Sequence, residues 1–523
     1  MDASFLLAIL ISFLTILIIY KFLKKSKVVL PPGPRGLPIL GYLPFIKTNL
    51  HIQIDEFARK YGPIYKFWLG SKLVVVITSP SLIKEVVRDK DAIFANHDPM
   101  ASGIAATAGG INIVHSDYGP YWRHLRKLLA RDMLSNHNLE ASYGLRKDEV
   151  RKSTKYVYGK IGKAIDVGEV IFVTEFNVIM SLMWGGTISE EAARDRIGKE
   201  FREKVSKLVE LLARSNVSDY FPCLARFDLQ GIVKEMKGVV PGIEDTLTYV
   251  INKRKEMMML RNGNGNSNVV EGDHQNSVAS SSTKRKDFLE ILLELTDEKA
   301  EQPMNVTQIR VFLTDIVVAG TDTTATIIEW VMAELLRNPD VMNRVQQELD
   351  NVVGINNIVE ESDISKLVYL DAVLKEGFRL HSPLPFVLSR RPSQTVTLGG
   401  YTIPKRTPVL LNAWSTLRDP QVWDNPSEFK PERFLNDHDH KWDYSGHNFQ
   451  YLPFGSGRRI CPGLPLAEKM VLYMIATMLH SFDWKLQEGD ELDMSEKFGI
   501  VMRKEKPLFA VPYQRLPHSN LYQ

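Results

Sequence analysis

An almost unbroken apolar run, residues 5–20, opens the chain and ends in Lys21, Lys24, Lys25 and Lys27. Extended from Ala3 to Leu23, it just reaches the roughly 17–25 residues that a bilayer-spanning helix needs. A cleaved signal peptide would put positive charge before the run and small residues after it; here Asp2 precedes and lysines follow. Residues 1–27 therefore predict a retained transmembrane helix with a basic flank, its lysine side and all that follows facing the cytosol. Pro31, Pro32, Gly33, Pro34, Gly36, Pro38 and Gly41 come next. Prolines remove backbone donors and fix φ, so residues 28–45 predict a stiff hinge rather than a helix.

Beyond the hinge, apolar positions recur mostly at the helical period, as over residues 309–336 and 467–479, while residues 65–77 alternate as paired strands do. The pattern predicts one mainly α body with a small β-sheet region over residues 46–523. Residues 261–286 interrupt it: Asn, Gly and Ser dominate and almost nothing is available to bury, which predicts a flexible surface loop within the body. No repeat of the roughly 20–50-residue kind that marks a solenoid is present.

Composition narrows the classes. Hydrophobic residues make up 44% and charged residues 24%, and a net charge of +3 is too small to argue for nucleic acid. The two cysteines, Cys223 and Cys461, are too few for a secreted fold held by disulfides. A reducing compartment fits, and it leaves Cys461 available as a thiolate.

Cys461 sits in Phe454-Gly455-Ser456-Gly457-Arg458-Arg459-Ile460-Cys461-Pro462-Gly463, ahead of an apolar helix expected to start near Leu466. A lone cysteine is usually a small buried hydrophobe. Here the glycines allow a tight loop with N–H groups aimed at sulfur, and the helix N-terminus that follows favours the thiolate. Arg459 offers a planar fork to a carboxylate. The segment resembles, at every specified position, the cytochrome P450 signature Phe-x-x-Gly-x-Arg-x-Cys-x-Gly. The resemblance implies the P450 fold on an N-terminal transmembrane helix, haem b (iron protoporphyrin IX) as cofactor, Cys461 as the axial ligand of its iron and Arg459 as a propionate contact.

A second constellation, Ala319-Gly320-Thr321-Asp322-Thr323-Thr324, interrupts the long helical pattern. Alone it reads equally well as a polar kink. Beside the cysteine loop it resembles the family's acid–alcohol pair, with Asp322 and Thr323 delivering protons during oxygen activation and Gly320 close to the porphyrin. Glu376 and Arg379 share a helix face at i, i+3, and with Arg433 they resemble the family's buried bracing network rather than a surface ion pair. Trp122 and Arg126, at i and i+4, resemble the pair that contacts the haem propionates. Arg390 resembles a third contact, although Ser382 and Ser389 stand where proline is common and leave open whether Arg390 or Arg391 points inward.

The resemblance covers essentially the whole chain and is strongest to plant microsomal members that oxidise sesquiterpenoids and, in some cases, flavonoids. It implies an NADPH- and O2-dependent monooxygenase on the endoplasmic reticulum membrane. No Gly-rich dinucleotide motif is placed on a strand–turn–helix, so electrons are expected from a separate NADPH–cytochrome P450 reductase, with cytochrome b5 as an optional second donor. By analogy the substrate faces residues 96–118, 215–227, 310–319, 383–388 and 498–501. Ala105, Ala106, Ala108, Gly109, Gly110 and Ile111 suit a compact hydrocarbon or a flat aromatic, while His115 and Asp117 could meet a phenol or solvent. A P450-fold isomerase or dehydratase that uses no dioxygen would not need Asp322 and Thr323.

Overall fold

Each predicted pattern finds its element in the computed structural model, which describes residues 29–185, 191–263, 286–435 and 442–523, together with Ser12. The predicted anchor lies outside the described residues. So does most of the 261–286 loop, but its first part is corrected: Arg261, Asn262 and Gly263 continue a helix.

In chain order, the elements that frame the site are α1 (Leu50–Tyr61), β1 (Ile64–Leu69), β2 (Lys72–Ile77), β3 (Asn96–His97), α2 (Ala101–Ala106), α3 (Pro120–Leu128) and α4 (Tyr143–Tyr158). Next come β4 (Ile165–Asp166), α5 (Val167–Trp184), α6 (Glu191–Ala213), α7 (Ile232–Gly263), α8 (Val306–Arg337) and α9 (Val368–Leu380). Then follow β5 (Val387–Arg391), β6 (Val409–Leu411), α10 (Leu464–Ser481), β7 (Phe482–Lys485), β8 (Glu496–Lys497), β9 (Arg503–Lys504) and β10 (Phe509–Gln514).

The alternating residues 65–77 form the antiparallel pair β1–β2, from Ile64 opposite Ile77 to Leu69 opposite Lys72. The main sheet runs β1-β2-β6-β5-β3, with β2 and β6 parallel and a register shift in β5 between Val387 and Arg390. A three-stranded sheet, β4-β10-β7, and the short pair β8–β9 complete the β region. This is the mainly α fold with a small β region that periodicity predicts.

The long apolar pattern becomes α8. It starts at a capping box in which the Asn305 side chain accepts from Gln308 N and the Gln308 side chain accepts from Asn305 N, two reciprocal bonds that satisfy otherwise orphaned donors. α5 and α8 are both long and apolar enough to cross a membrane, but most of each apolar window is buried inside the protein. Their hydrophobicity is that of a central pair packed on all sides. They cross closely: a Cβ on Gly320 would lie 2.5 Å from Ile179 Cδ1. Helix packing thus accounts for the small residue at 320, where the sequence suggested room for a porphyrin.

Candidate active site

The cysteine loop is built on left-handed glycines. Gly455 and Gly457 have φ of +71° and +68°, and a Cβ at Gly457 would meet the Val87 carbonyl oxygen at 2.2 Å. The turn brings Cys461 N–H to the Phe454 carbonyl at 2.9 Å. α10 begins at Leu464, two residues earlier than expected. Its first N–H groups, with that of Gly463, point at sulfur: Gly463 and Leu464 both donate to Cys461. Burial pushes the thiol up, while those N–H groups and the Arg126 charge pull it back. The expectation that the loop alone favours thiolate is corrected here, because desolvation is the larger effect.

Three arginines converge around this loop. Arg390, on β5 opposite His97, is fully buried; Nη2 donates to the Ser456 carbonyl at 3.1 Å, and Nε and Nη1 are buried without a partner. Arg391 instead pairs with Asp117 at 2.9 Å, which settles the open question of which one points inward and places Asp117 at the surface. Arg459 donates to the carbonyls of Ala95, Ile113 and Ser116 at 2.6, 3.1 and 2.5 Å, using three of a guanidinium's five N–H donors. Burial and the Arg390 charge lower its pKa to about 9, and burial lowers that of Arg390 to about 10. Arg126 is lowered by burial and supported by Cys461. Trp122 takes a different place from the one expected: its indole N–H donates to the Ile113 carbonyl at 3.0 Å, and Arg459 lies 4.4 Å over its ring. In this geometry Trp122 holds Arg459.

On the distal side, Ile316, Ala319, Gly320 and Thr323 keep accessible surface along one flank of α8, while Val317, Thr321, Asp322 and Thr324 are buried. Spacing of three and four residues puts the open positions on one face of the helix, so a cleft runs beside its middle. Thr323 Oγ1 donates to the Ala319 carbonyl at 2.6 Å. Asp322 is buried, its Oδ1 paired with Arg503 of β9 and its Oδ2 without a partner. The structure therefore brings the acid and the alcohol to the same turn but engages each with a local partner.

Glu376, Arg379 and Arg433 form the expected buried network. Arg379 donates to Glu376 at 2.7 and 2.9 Å and to the carbonyls of Leu417, Pro426 and Glu428; Arg433 reaches Glu376 at 3.2 Å. Sequence reasoning missed Asp315, whose carboxylate accepts from Asn112 Nδ2 at 2.9 Å and from Ile113 N at 3.0 Å. A single acid within the apolar stretch from Val311 to Val318 was the available signal. His97 was also missed: buried, its Nδ1 bonds the Ser389 carbonyl at 2.9 Å, and burial with the Arg390 and Arg459 charges lowers its pKa well below the usual range. His115 is held to about 4 by burial and Arg459, with Nδ1 buried and unpartnered.

The donor set fits a thiolate-ligated iron porphyrin. Arg126, Arg390 and Arg459 have no carboxylate partner among the described residues, and unpaired buried charge is costly. A group that brings a cation to sulfur and two carboxylates to the arginines satisfies both sides at once, since a coordinating metal deprotonates a thiol.

The comparisons with known proteins agree with this geometry. The Cytochrome P450 family model matches residues 31–511. The carnosic acid synthase of Salvia pomifera is 37% identical over 92% of this chain and 93% of its own length. The flavonoid 3'-monooxygenase of Crocosmia x crocosmiiflora is 36% identical over 98% of the chain and 97% of its own, and the geraniol 8-hydroxylase of Swertia mussotii 36% over 98% and 99%. A solved zebra fish cytochrome P450, determined with abiraterone, superimposes with a TM-score of 0.72 at 23% identity, over 90% of this chain and all of that one, and shows the shared fold. Matched along nearly its whole length and carrying a cysteine loop and acid–alcohol helix in the expected places, the chain belongs to the cytochrome P450 family and is a monooxygenase of plant specialised metabolism.

Proposed function

We propose that this chain hydroxylates a hydrophobic plant metabolite, a sesquiterpenoid, using NADPH and O2. The observation that carries the haem chemistry is the set of three arginines without carboxylate partners around a sulfur that receives two backbone N–H bonds. Cys461 Sγ would hold the iron; Arg126, Arg390 and Arg459 would hold the propionates, with Trp122 backing Arg459. When bound, haem b supplies reductive activation of dioxygen and transfer of one oxygen atom to the substrate. Gly463 and Leu464 N–H set the charge left on sulfur. Thr323 has given its proton to Ala319, so its oxygen is free to accept from a water in the cleft. Asp322, through its unpartnered Oδ2, passes protons to that water from solvent.

Electrons come from NADPH through a separate reductase, with cytochrome b5 as a second donor. Residues 1–27 anchor the chain in the endoplasmic reticulum membrane, with residues 28–45 orienting a cytosolic body. The terpenoid reading is supported by the names of two relatives, the geraniol 8-hydroxylases of Swertia mussotii and Catharanthus roseus. A flavone is the second reading, favoured by the similarity to a flavonoid 3'-monooxygenase over 98% of the chain.

The test is turnover in microsomes holding this protein and a plant reductase, with NADPH, on a panel of sesquiterpenes and flavones read by mass. One added oxygen on a sesquiterpene is expected. Oxygen added to flavones alone overturns the first reading in favour of the second.

A further inference from the structure

Ile113 is bonded in two directions. Its N–H donates to Asp315 on α8, and its carbonyl accepts from Trp122 Nε1 and from Arg459 Nη1, two residues before Cys461. One peptide segment thus joins the distal helix to the cysteine loop. Around it the Asp315 carboxylate also accepts from Asn112 Nδ2 and from Val114 N–H, Asn112 Oδ1 accepts from His115 N at 2.9 Å, and Arg459 holds the Ser116 carbonyl. Asp315 lies one turn before Ala319, where the open flank of α8 meets the cleft. Residues 112–116 therefore close the side of that cleft between α8 and Cys461.

The segment before this clamp is conformationally loose. Ala108, Gly109 and Gly110 all have positive φ, +48°, +96° and +84°, and a Cβ on Gly109 would meet nothing within 4 Å. Local packing does not dictate the path of the chain here. The three donors gathered by one carboxylate do, and each is a directional, charge-assisted bond.

We propose that Asp315 is a positioning residue for substrate: by fixing residues 112–114 to the distal helix it sets the wall against which a hydrophobic substrate lies, and so which carbon is oxidised. This rests on the monooxygenase reading above for its product readout. Asparagine at 315 keeps the size but presents an N–H₂ where an acceptor is needed, so the clamp opens without a cavity.

The test compares wild type, Asp315→Asn and Asn112→Ala in the full-length, haem-loaded protein. The carbon-monoxide difference spectrum counts correctly assembled enzyme. In Asp315→Asn the amides of Ile113 and Val114 should exchange about tenfold or more faster, KM should rise about tenfold with kcat changed much less, and the product should split into regioisomers. Asn112→Ala, which loses one donor of the three, should shift each readout in the same direction by less. Binding of a phenyl-substituted imidazole, followed by the Soret shift, needs no metabolic substrate and should weaken in parallel. Unchanged Ile113 and Val114 exchange overturns the clamp. Faster exchange with an unchanged product ratio and unchanged azole affinity overturns its role in positioning. If no panel compound turns over, exchange and azole titration still decide the inference separately from the proposed substrate.

Discussion

Arg503 holds the Oδ1 oxygen of Asp322, while the Oδ2 oxygen of the same carboxylate is buried with no partner. The arginine belongs to β9, which follows the turn of residues 498–501, and that turn approaches the end of α6, since a Cβ on Gly499 would lie 3.9 Å from Ala213. The proton-relay acid is thus tethered to a strand outside its own helix, next to a segment expected to face substrate. Arg503→Gln leaves Asp322 buried without its counter-charge. We expect an intact carbon-monoxide spectrum, product formation slower by about tenfold, and more NADPH diverted to hydrogen peroxide. Arg503→Lys should restore most of the loss. If peroxide per NADPH and the solvent isotope effect both match wild type in Arg503→Gln, the tether has no part in proton delivery.

Thr323→Ala removes the hydroxyl oxygen that remains after its proton is donated to Ala319. Thr323 is a helix residue with part of its surface open to the cleft, so the truncation should not disturb packing. Product yield per NADPH should fall several-fold, in the range of a lost general acid–base contact of about 10²-fold at most, with peroxide rising to match. Equal product and no added peroxide would remove Thr323 from the relay.

How much of this could be read from the chain depends on whether the signal was local. The cysteine loop, the acid–alcohol turn and the Glu376–Arg379 pair each occupy a few consecutive residues, and each appears where the spacing put it. The fate of Trp122 was not legible, because its partner is a carbonyl nine residues back, in a loop whose path is set by Asp315, about two hundred residues further on. Arg503 was missed for the same reason, its carboxylate lying 181 positions away. The reason for Gly320 also required the structure: helical spacing says which face a residue occupies, but only the crossing of α5 shows that Ile179 occupies it.

Glu376 is the acceptor on which the haem-side core closes. It takes two bonds from Arg379, one from Arg433 and one from Lys430 N–H at 2.8 Å, and both Glu376 and Arg379 are wholly buried. Glu376→Gln leaves a buried guanidinium whose charge nothing offsets, a change that costs roughly 3–5 kcal/mol. Little haem-loaded protein should accumulate, and what does should unfold at a markedly lower temperature. Wild-type yield and melting temperature in Glu376→Gln would show that the network braces nothing.

Glu175, on α5, gives the protein a pH dependence of predictable sign. Its carboxyl is pushed up to about 8 by burial, against the charge of Arg146, and Oε1 has no partner. Arg146 is itself engaged with Glu361 at 2.5 Å, so little of its charge is left to hold a second carboxylate. An unfolded glutamate releases its proton near pH 4.3. Between that value and about 8 the native state keeps a proton that the unfolded state has lost, so this residue makes stability fall as pH rises through the window, with no further loss above it. Glu175→Gln cannot titrate and keeps the shape of the protonated form. The melting temperature of the variant relative to wild type should therefore rise in the variant's favour from pH 5.5 to pH 8. A difference that stays constant over that range would mean Glu175 is ionised in the folded protein throughout, and that Arg146 serves as its counter-ion after all.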